Sequence, residues 1–284
     1  MNSKTPIQQQ IIVSLTSFPA AIPFAILAIK SVLNGSVLPN KVILYLTASQ
    51  FPAGKIPSEL VELGKNVAFE VRFYEENIRS YTKLIPALKD FPNDIIVTID
   101  DDILYNKNML RGLLHLHKKY PNAIVGHRVR HLKLNAPYRS WKRYKEHRYL
   151  LNSLKPKFAN VQTGVGGVLY PPDSLDIKML DFKIFMKMAP TVDDIWFWAA
   201  AVANGTKIAA IPFGEFKLNE LKKPKEIGLF SVNGGVDNDV NRIVLENILE
   251  KYPEIREKIE SEIEFDNKTN IFVVLKRFFL LNSK

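Results

Sequence analysis

Between Asp94 and Tyr105 a short run of β-branched residues stops at three consecutive aspartates, Asp100, Asp101 and Asp102. Ile95 to Ile99 has the composition of a buried strand, and Pro92, Asn93 and Asp94 mark the turn before it. Carboxylates at the carboxyl end of such a strand lie where open α/β sheets bind ligands. Along an extended chain Asp100 and Asp102 point to one side and Asp101 to the other. Two carboxylates on one side repel each other unless a cation or another positive group lies between them. A hard divalent ion that keeps some waters and shares substrate phosphates suits that place. A solvated acidic turn is the competing explanation.

The rest of the chain supplies the sheet. Ile11 to Leu15 is a first strand running into Thr16-Ser17-Phe18-Pro19, and residues 22–33 are apolar at helical spacing up to Asn34-Gly35. Lys41 to Thr47 is a second buried strand, Ser58 to Leu63 a short helix and Val67 to Tyr74 a third strand. Lys107 to Tyr120 is an amphipathic helix, Ala123 to Val129 a strand, and Ile208 to Pro212 a late one. Strand and helix alternate as in a mostly parallel α/β sheet. His115 and His117, two apart, share no helix face and are expected at the surface or in packing.

Three other stretches carry chemistry. The polar turn Thr16-Ser17-Phe18 ends a first strand, where mononucleotides commonly sit; an ordinary capped turn explains it equally. Gly164, Gly166 and Gly167 in TGVGGVLYPP permit positive φ and close backbone approach to a ligand, or form a bulge. The following Pro171-Pro172 excludes a dinucleotide fingerprint. Asp193 and Asp194 open a helix that is apolar nearly all round to Ala203, and its dipole favours ionised carboxylates. Thr191 or Asp193 is the expected cap of that helix.

Charge points outward. The net charge is +10, and from Arg128 to Lys157 ten Lys and Arg face a single acid, Glu146, with Tyr138, Trp141, Tyr144 and Tyr149 interleaved. Aromatics beside cations suit sugar rings or a phosphate-bearing lipid interface, against the alternative of a solvated face. No nucleic-acid-binding signature accompanies the charge. With no cysteine, disulfides and thiolate metal sites are excluded. The start MNSKTPIQQQ lacks the order of a signal peptide, and no apolar run approaches about 18 residues. The expected location is the cytoplasm, with peripheral contact to the inner face of the membrane as an option. The tail Asn270 to Lys284 is apolar with Lys276, Arg277 and Lys284, and reads either as an interfacial anchor or as core packing.

Taken together, VSLTSFP, TKLIPAL at Thr82 to Leu88, TIDDDILY, Pro137 to Trp141, TGVGGVLYPP and Asp193-Asp194-Ile195-Trp196 resemble the GT-A glycosyltransferases of bacterial surface-polysaccharide assembly. The resemblance spans most of residues 11–245. It implies a GT-A-type, mostly parallel central sheet with flanking helices over residues 7–249; the residues beyond, 250–284, read from their own pattern as a helical tail. It further implies transfer from a nucleoside-diphosphate sugar, foremost a UDP-sugar, with Mn²⁺ or Mg²⁺, to a saccharide or lipid-linked saccharide. In this resemblance Thr16, Ser17 and Phe18 contact the nucleoside, and Arg79 and Lys83 lie near the diphosphate. Asp102 binds metal, and Asp100 the metal or the donor, with Asp101 beside them. Tyr138, Trp141, Gly166 and Gly167 line the acceptor side, and Asp194, with Asp193 second, is the base of an inverting reaction. The family tends to carry a glycine where Arg79-Ser80 stands here. Asn233 and Asp239 are candidates for a further metal ligand, with helix capping as the alternative. A nucleotidyltransferase that makes sugar nucleotides and a non-enzymatic membrane- or polysaccharide-binding module are the rival readings.

Overall fold

The structure, a computed structural model, describes residues 9–143, 155–211, 219–222 and 239–281. The elements run β1 (Ile11–Ser17), α1 (Ile22–Leu33), β2 (Lys41–Thr47), α2 (Ser58–Leu63), β3 (Phe69–Tyr74), α3 (Ile85–Asp90) and β4 (Ile95–Thr98). They continue with β5 (Ile103–Leu104), α4 (Met109–Lys119), β6 (Ile124–His131), β7 (Lys142–Arg143), β8 (Asn160–Tyr170), α5 (Phe182–Met188) and α6 (Asp193–Ala203). Last come β9 (Ile208–Ala210), β10 (Asn219–Glu220), α7 (Val240–Lys251) and α8 (Pro253–Leu281).

The main sheet has the order β3-β2-β1-β4-β8-β6-β7, with β9 beside β6. The first four strands are mutually parallel, β9 is parallel to β6, and β8 runs against both β4 and β6. The fold is therefore α/β with a mostly parallel sheet. Chain order turns outward in opposite directions from β1 and β4, so the carboxyl ends of these neighbours flank the switch point, where a crevice opens in such sheets.

Alternation along the strands explains the two layers. Ile12, Ile43, Tyr45 and Ile96 point into one apolar cluster, with α3, α6 and α7. Val13, Leu15, Val42, Leu44, Ile95 and Val97 point into the other, with α1 and α4. α6 is enclosed from Ile195 to Val202, as a helix without a polar face must be. Its indoles find buried acceptors, Trp196 donating to the Met179 carbonyl and Trp198 to that of Phe158.

One expectation needs correction. The strand expected from Val67 starts at Phe69, and Val67 is fully in solvent. The glycines of TGVGGV lie inside β8 as a bulge, with Gly126 opposite Val168 but Arg128 opposite Thr163. The first turns of the C-terminal helix pack on the core. Ile255 and Ile259 are completely buried in the same cluster as α6, and Lys258 donates to the terminal carbonyls of Val202 and Ala203. Glu262 accepts from the Ala159 N–H, so the first turns of α8 also close the end of β8.

Candidate active site

The crevice at the ends of β1 and β4 is built by local hydrogen bonds. Ser17, the last residue of β1, donates its hydroxyl to Asp101 at 2.6 Å, which ties the first strand to the acidic turn. Thr16 donates instead to the Tyr45 carbonyl at 2.9 Å, and Phe18 is half-buried beyond them. The turn is held from beneath by Tyr105. The Asp100 N–H donates to its hydroxyl oxygen at 2.7 Å, and the hydroxyl lies 3.3 Å from the Asp100 carbonyl. From above, the Leu221 N–H donates to the Asp102 carbonyl at 2.7 Å, next to the short β5–β10 pairing.

Lys83 occupies the centre. Its ammonium lies 2.9 Å from Asp100 and 3.0 Å from Asp193, joining the end of β4 to the mouth of α6. The side chain is 9% exposed. Burial alone would lower its pKa, but the fields of Asp100, Asp193 and Asp194 reverse this and hold it charged well above the usual lysine range. The resemblance sets Lys83 against a diphosphate; here its close partners are carboxylates. Ser14 on β1 fixes its backbone by donating to the Lys83 carbonyl at 2.6 Å. Arg79, at the other end of the same 3-10 turn, is exposed and has φ of 54°. A left-handed position favours glycine, which gives a physical reason for the glycine expected near this place.

Gly164 completes the centre, although sequence reasoning assigned it no site role. A Cβ there would lie 2.8 Å from both the Lys83 ammonium and one Asp100 oxygen. Its N–H donates to Asp194 at 3.0 Å. The signal was present in the glycine run, but only the fold shows that the first glycine is the one against the carboxylates. Asp194 is half-buried. Burial, then the neighbouring Asp193, raise its pKa to about 7, against the opposing pull of Lys83. Asp193 does not cap α6: the cap is Val192, which makes no side-chain bond to the helix. Its carboxylate is the one paired with Lys83.

A basic and aromatic wall stands beside Asp194. Tyr138 is buried deeply enough to raise its pKa, and it lies within the fields of Arg130, Asp194 and Arg128. The Arg130 guanidinium stacks 4.7 Å from the Tyr138 ring centre, and Arg128 approaches Glu220 at 3.8 Å. Trp141 is packed in the core, 1% exposed, with its ring 4.9 Å from Tyr138, so it supports that ring from behind. Gly166 and Gly167 both have φ of 96°, and a Cβ on Gly167 would sit 3.2 Å from the Met109 sulfur. Gly167 thus lets β8 approach α4, away from the carboxylates. Asp239 caps α7 through the Arg242 N–H and also accepts from the Tyr138 N–H at 2.7 Å, a structural role. Asn233 and residues 144–154 of the basic stretch lie outside the described residues. His115 is exposed and His117 half-buried on α4, as expected.

Among the described residues no group of three His, Asp or Glu side chains converges as a metal cage. Asp101 is engaged by Ser17 and Asp100 by Lys83. This donor set fits a hard cation shared with substrate phosphates, which needs only one or two carboxylates, and does not fit one held by protein alone.

No protein-family profile matches the chain, and no curated protein matches it. Among solved structures it is similar to the crystal structure of S. aureus TarS 1-349, with 12% identity, 86% of this chain and 72% of that chain covered, and a TM-score of 0.49. The mostly parallel central sheet with flanking helices that the resemblance implies is present in this chain, with the aspartates at the end of β4 beside the switch point. No helix among the described residues is long and apolar enough to cross a membrane.

Proposed function

We propose that this protein is a glycosyltransferase that moves a sugar from a nucleoside-diphosphate donor, foremost a UDP-sugar, to a saccharide or lipid-linked saccharide, with inversion. The observation that carries the reading is Asp194. This half-buried carboxylate at the amino end of a buried helix, with a pKa of about 7, sits across Gly164 from the aspartates that end β4. A general base is most effective when its pKa lies near the working pH.

In this reading the nucleotide lies across the ends of β1 and β4, where Thr16, Ser17 and Phe18 form the rim. Asp102 would hold Mn²⁺ or Mg²⁺ together with the diphosphate, with Asp100 toward the donor; the ion, when bound, neutralises charge on the leaving group. Asp194 takes the proton of the acceptor hydroxyl as that oxygen attacks the anomeric carbon. The Gly164 N–H holds one carboxylate oxygen of Asp194, which orients the other. Lys83 keeps Asp193 charge-compensated, so the base does not face an unpaired neighbour. Tyr138 and the two arginines beside it form the acceptor wall.

Calorimetry of UDP with and without Mn²⁺, followed by a screen of nucleotide sugars for hydrolysis or thermal stabilisation, tests the proposal. Mn²⁺-dependent UDP binding that survives Asp194→Asn, with turnover reduced by about 10² or more, is the expected pattern. Absence of nucleotide binding, or a product that retains the donor's anomeric configuration by NMR, would overturn it.

A further inference from the structure

The buried ammonium of Lys83 has a consequence for metal binding. Asp100 lies against Gly164, Asp194 accepts from its N–H, and Lys83 is within ion-pair distance of Asp100 and Asp193. With Gly164, these residues come from four separate parts of the chain: the 3-10 turn before α3, the end of β4, the mouth of α6 and the bulge of β8. The ammonium is fixed at both ends. Ser14 holds its backbone carbonyl, and the missing side chain at Gly164 leaves only the space the ion pair fills. Asp100 and Asp193 are themselves 21% and 12% exposed in their side chains, so water screens them little.

We propose that Lys83 is the resident cation of this site: its ammonium takes the position between Asp100 and Asp193 that an added divalent ion would otherwise occupy, and so places metal binding on Asp102. A carboxylate already neutralised by a buried ammonium is a poor ligand, because a divalent ion brought to it would meet a like charge at close range. Removing the lysine charge reverses this and leaves two paired carboxylates facing each other without compensation, the arrangement that favours a hard cation. Lys83 is then a positioning residue that keeps strand end and helix mouth in register without metal. That catalytic meaning rests on the glycosyltransferase reading, whereas the metal behaviour does not.

The test uses the full chain and Mn²⁺ alone, with free ion read by electron paramagnetic resonance. Lys83→Met, similar in length and uncharged, should bind Mn²⁺ at least about tenfold more tightly than the wild type, because the ligand charge available to the ion rises. Adding Asp100→Asn to Lys83→Met should return the affinity to the wild-type level. In the otherwise wild-type chain with UDP present, Asp100→Asn should leave Mn²⁺ affinity within about threefold, while Asp102→Asn should lose it, as expected if ligand charge on Asp102 governs the site. A folded Lys83→Met with no gain in Mn²⁺ affinity would overturn the proposal. So would an Asp100→Asn loss equal to that of Asp102→Asn, a comparison that decides the matter even if Lys83→Met does not fold. Failure of UDP to bind at all would count against the proposed function and leave the measurements on Mn²⁺ alone intact.

Discussion

Gly164→Ala is the smallest change that reaches the centre of the site. Gly164 is the glycine whose replacement meets charged side-chain atoms: the added methyl would lie 2.8 Å from an Asp100 oxygen and from the Lys83 nitrogen, and 3.0 Å from the other Asp100 oxygen. Ordinary contact begins near 3.4 Å, so the pair must withdraw by 3.4 − 2.8 = 0.6 Å at least. Neither partner has room to do so freely, because Lys83 is also bound to Asp193, and Asp100 is anchored through its backbone to Tyr105. Overpacking costs about 1–3 kcal/mol, and a charged hydrogen bond worth about 1.5–3 is weakened by roughly half, so a combined loss of about 2–4 kcal/mol is expected. At about 2–4 °C per kcal/mol for a chain of this order of size, Tm should fall by roughly 5–15 °C. Differential scanning calorimetry reads this directly. Gly205→Ala is the control: φ is 82° there but no atom lies within 4 Å, so only backbone strain of about 1–2 kcal/mol should appear. A Gly164→Ala protein as stable and as active as the wild type, or less affected than Gly205→Ala, would refute the packing argument.

The remaining predictions concern charge, backbone and the C-terminal helix. Because Asp194 holds its proton to about pH 7, turnover should climb about tenfold per pH unit below that value and level above it, and Asp194→Asn should abolish this dependence. The same shift acts on stability. Between the ordinary Asp range and about pH 7 the folded chain binds the proton that the unfolded chain has released, so stability falls as pH rises; Asp194→Asn should remove that fall in denaturant titrations at about pH 5 and about pH 8. Arg79→Gly relieves a left-handed residue worth about 1–2 kcal/mol against a glycine cost of about 0.5–1 kcal/mol, so Tm should hold or rise slightly. If Arg79 meets the donor, its KM should rise at the same time, and a clear drop in Tm would sink the backbone argument. Deleting residues 270–284 keeps Ile255, Ile259 and Glu262 in place, so thermal stability should be retained while binding to anionic liposomes is lost. Unfolding of the truncated chain would instead make that segment part of the core.

The strands and helices were legible because their signals are local. The β-branched runs at Ile95 and Lys41, the Asn34-Gly35 stop and the apolar α6 each specify an element through the spacing of a few neighbours. The acidic turn and the Asp193-Asp194 pair stood out as candidates for the same reason. What the sequence alone left open was which charges meet. Lys83 is 17 residues from Asp100 in the chain, and the Asp194–Gly164 bond spans 30. Contacts of that kind depend on the order of strands in the sheet, which local periodicity does not encode. The parallel pairing of β1 with β4 put Ser17 against Asp101, and the antiparallel return of β8 brought Gly164 to the ammonium. Burial then changed the chemistry itself. Asp193 and Asp194 are neighbours of identical type, yet one became the ion-pair partner of Lys83 and the other a carboxyl that desolvation and its charged neighbour raise to a pKa of about 7.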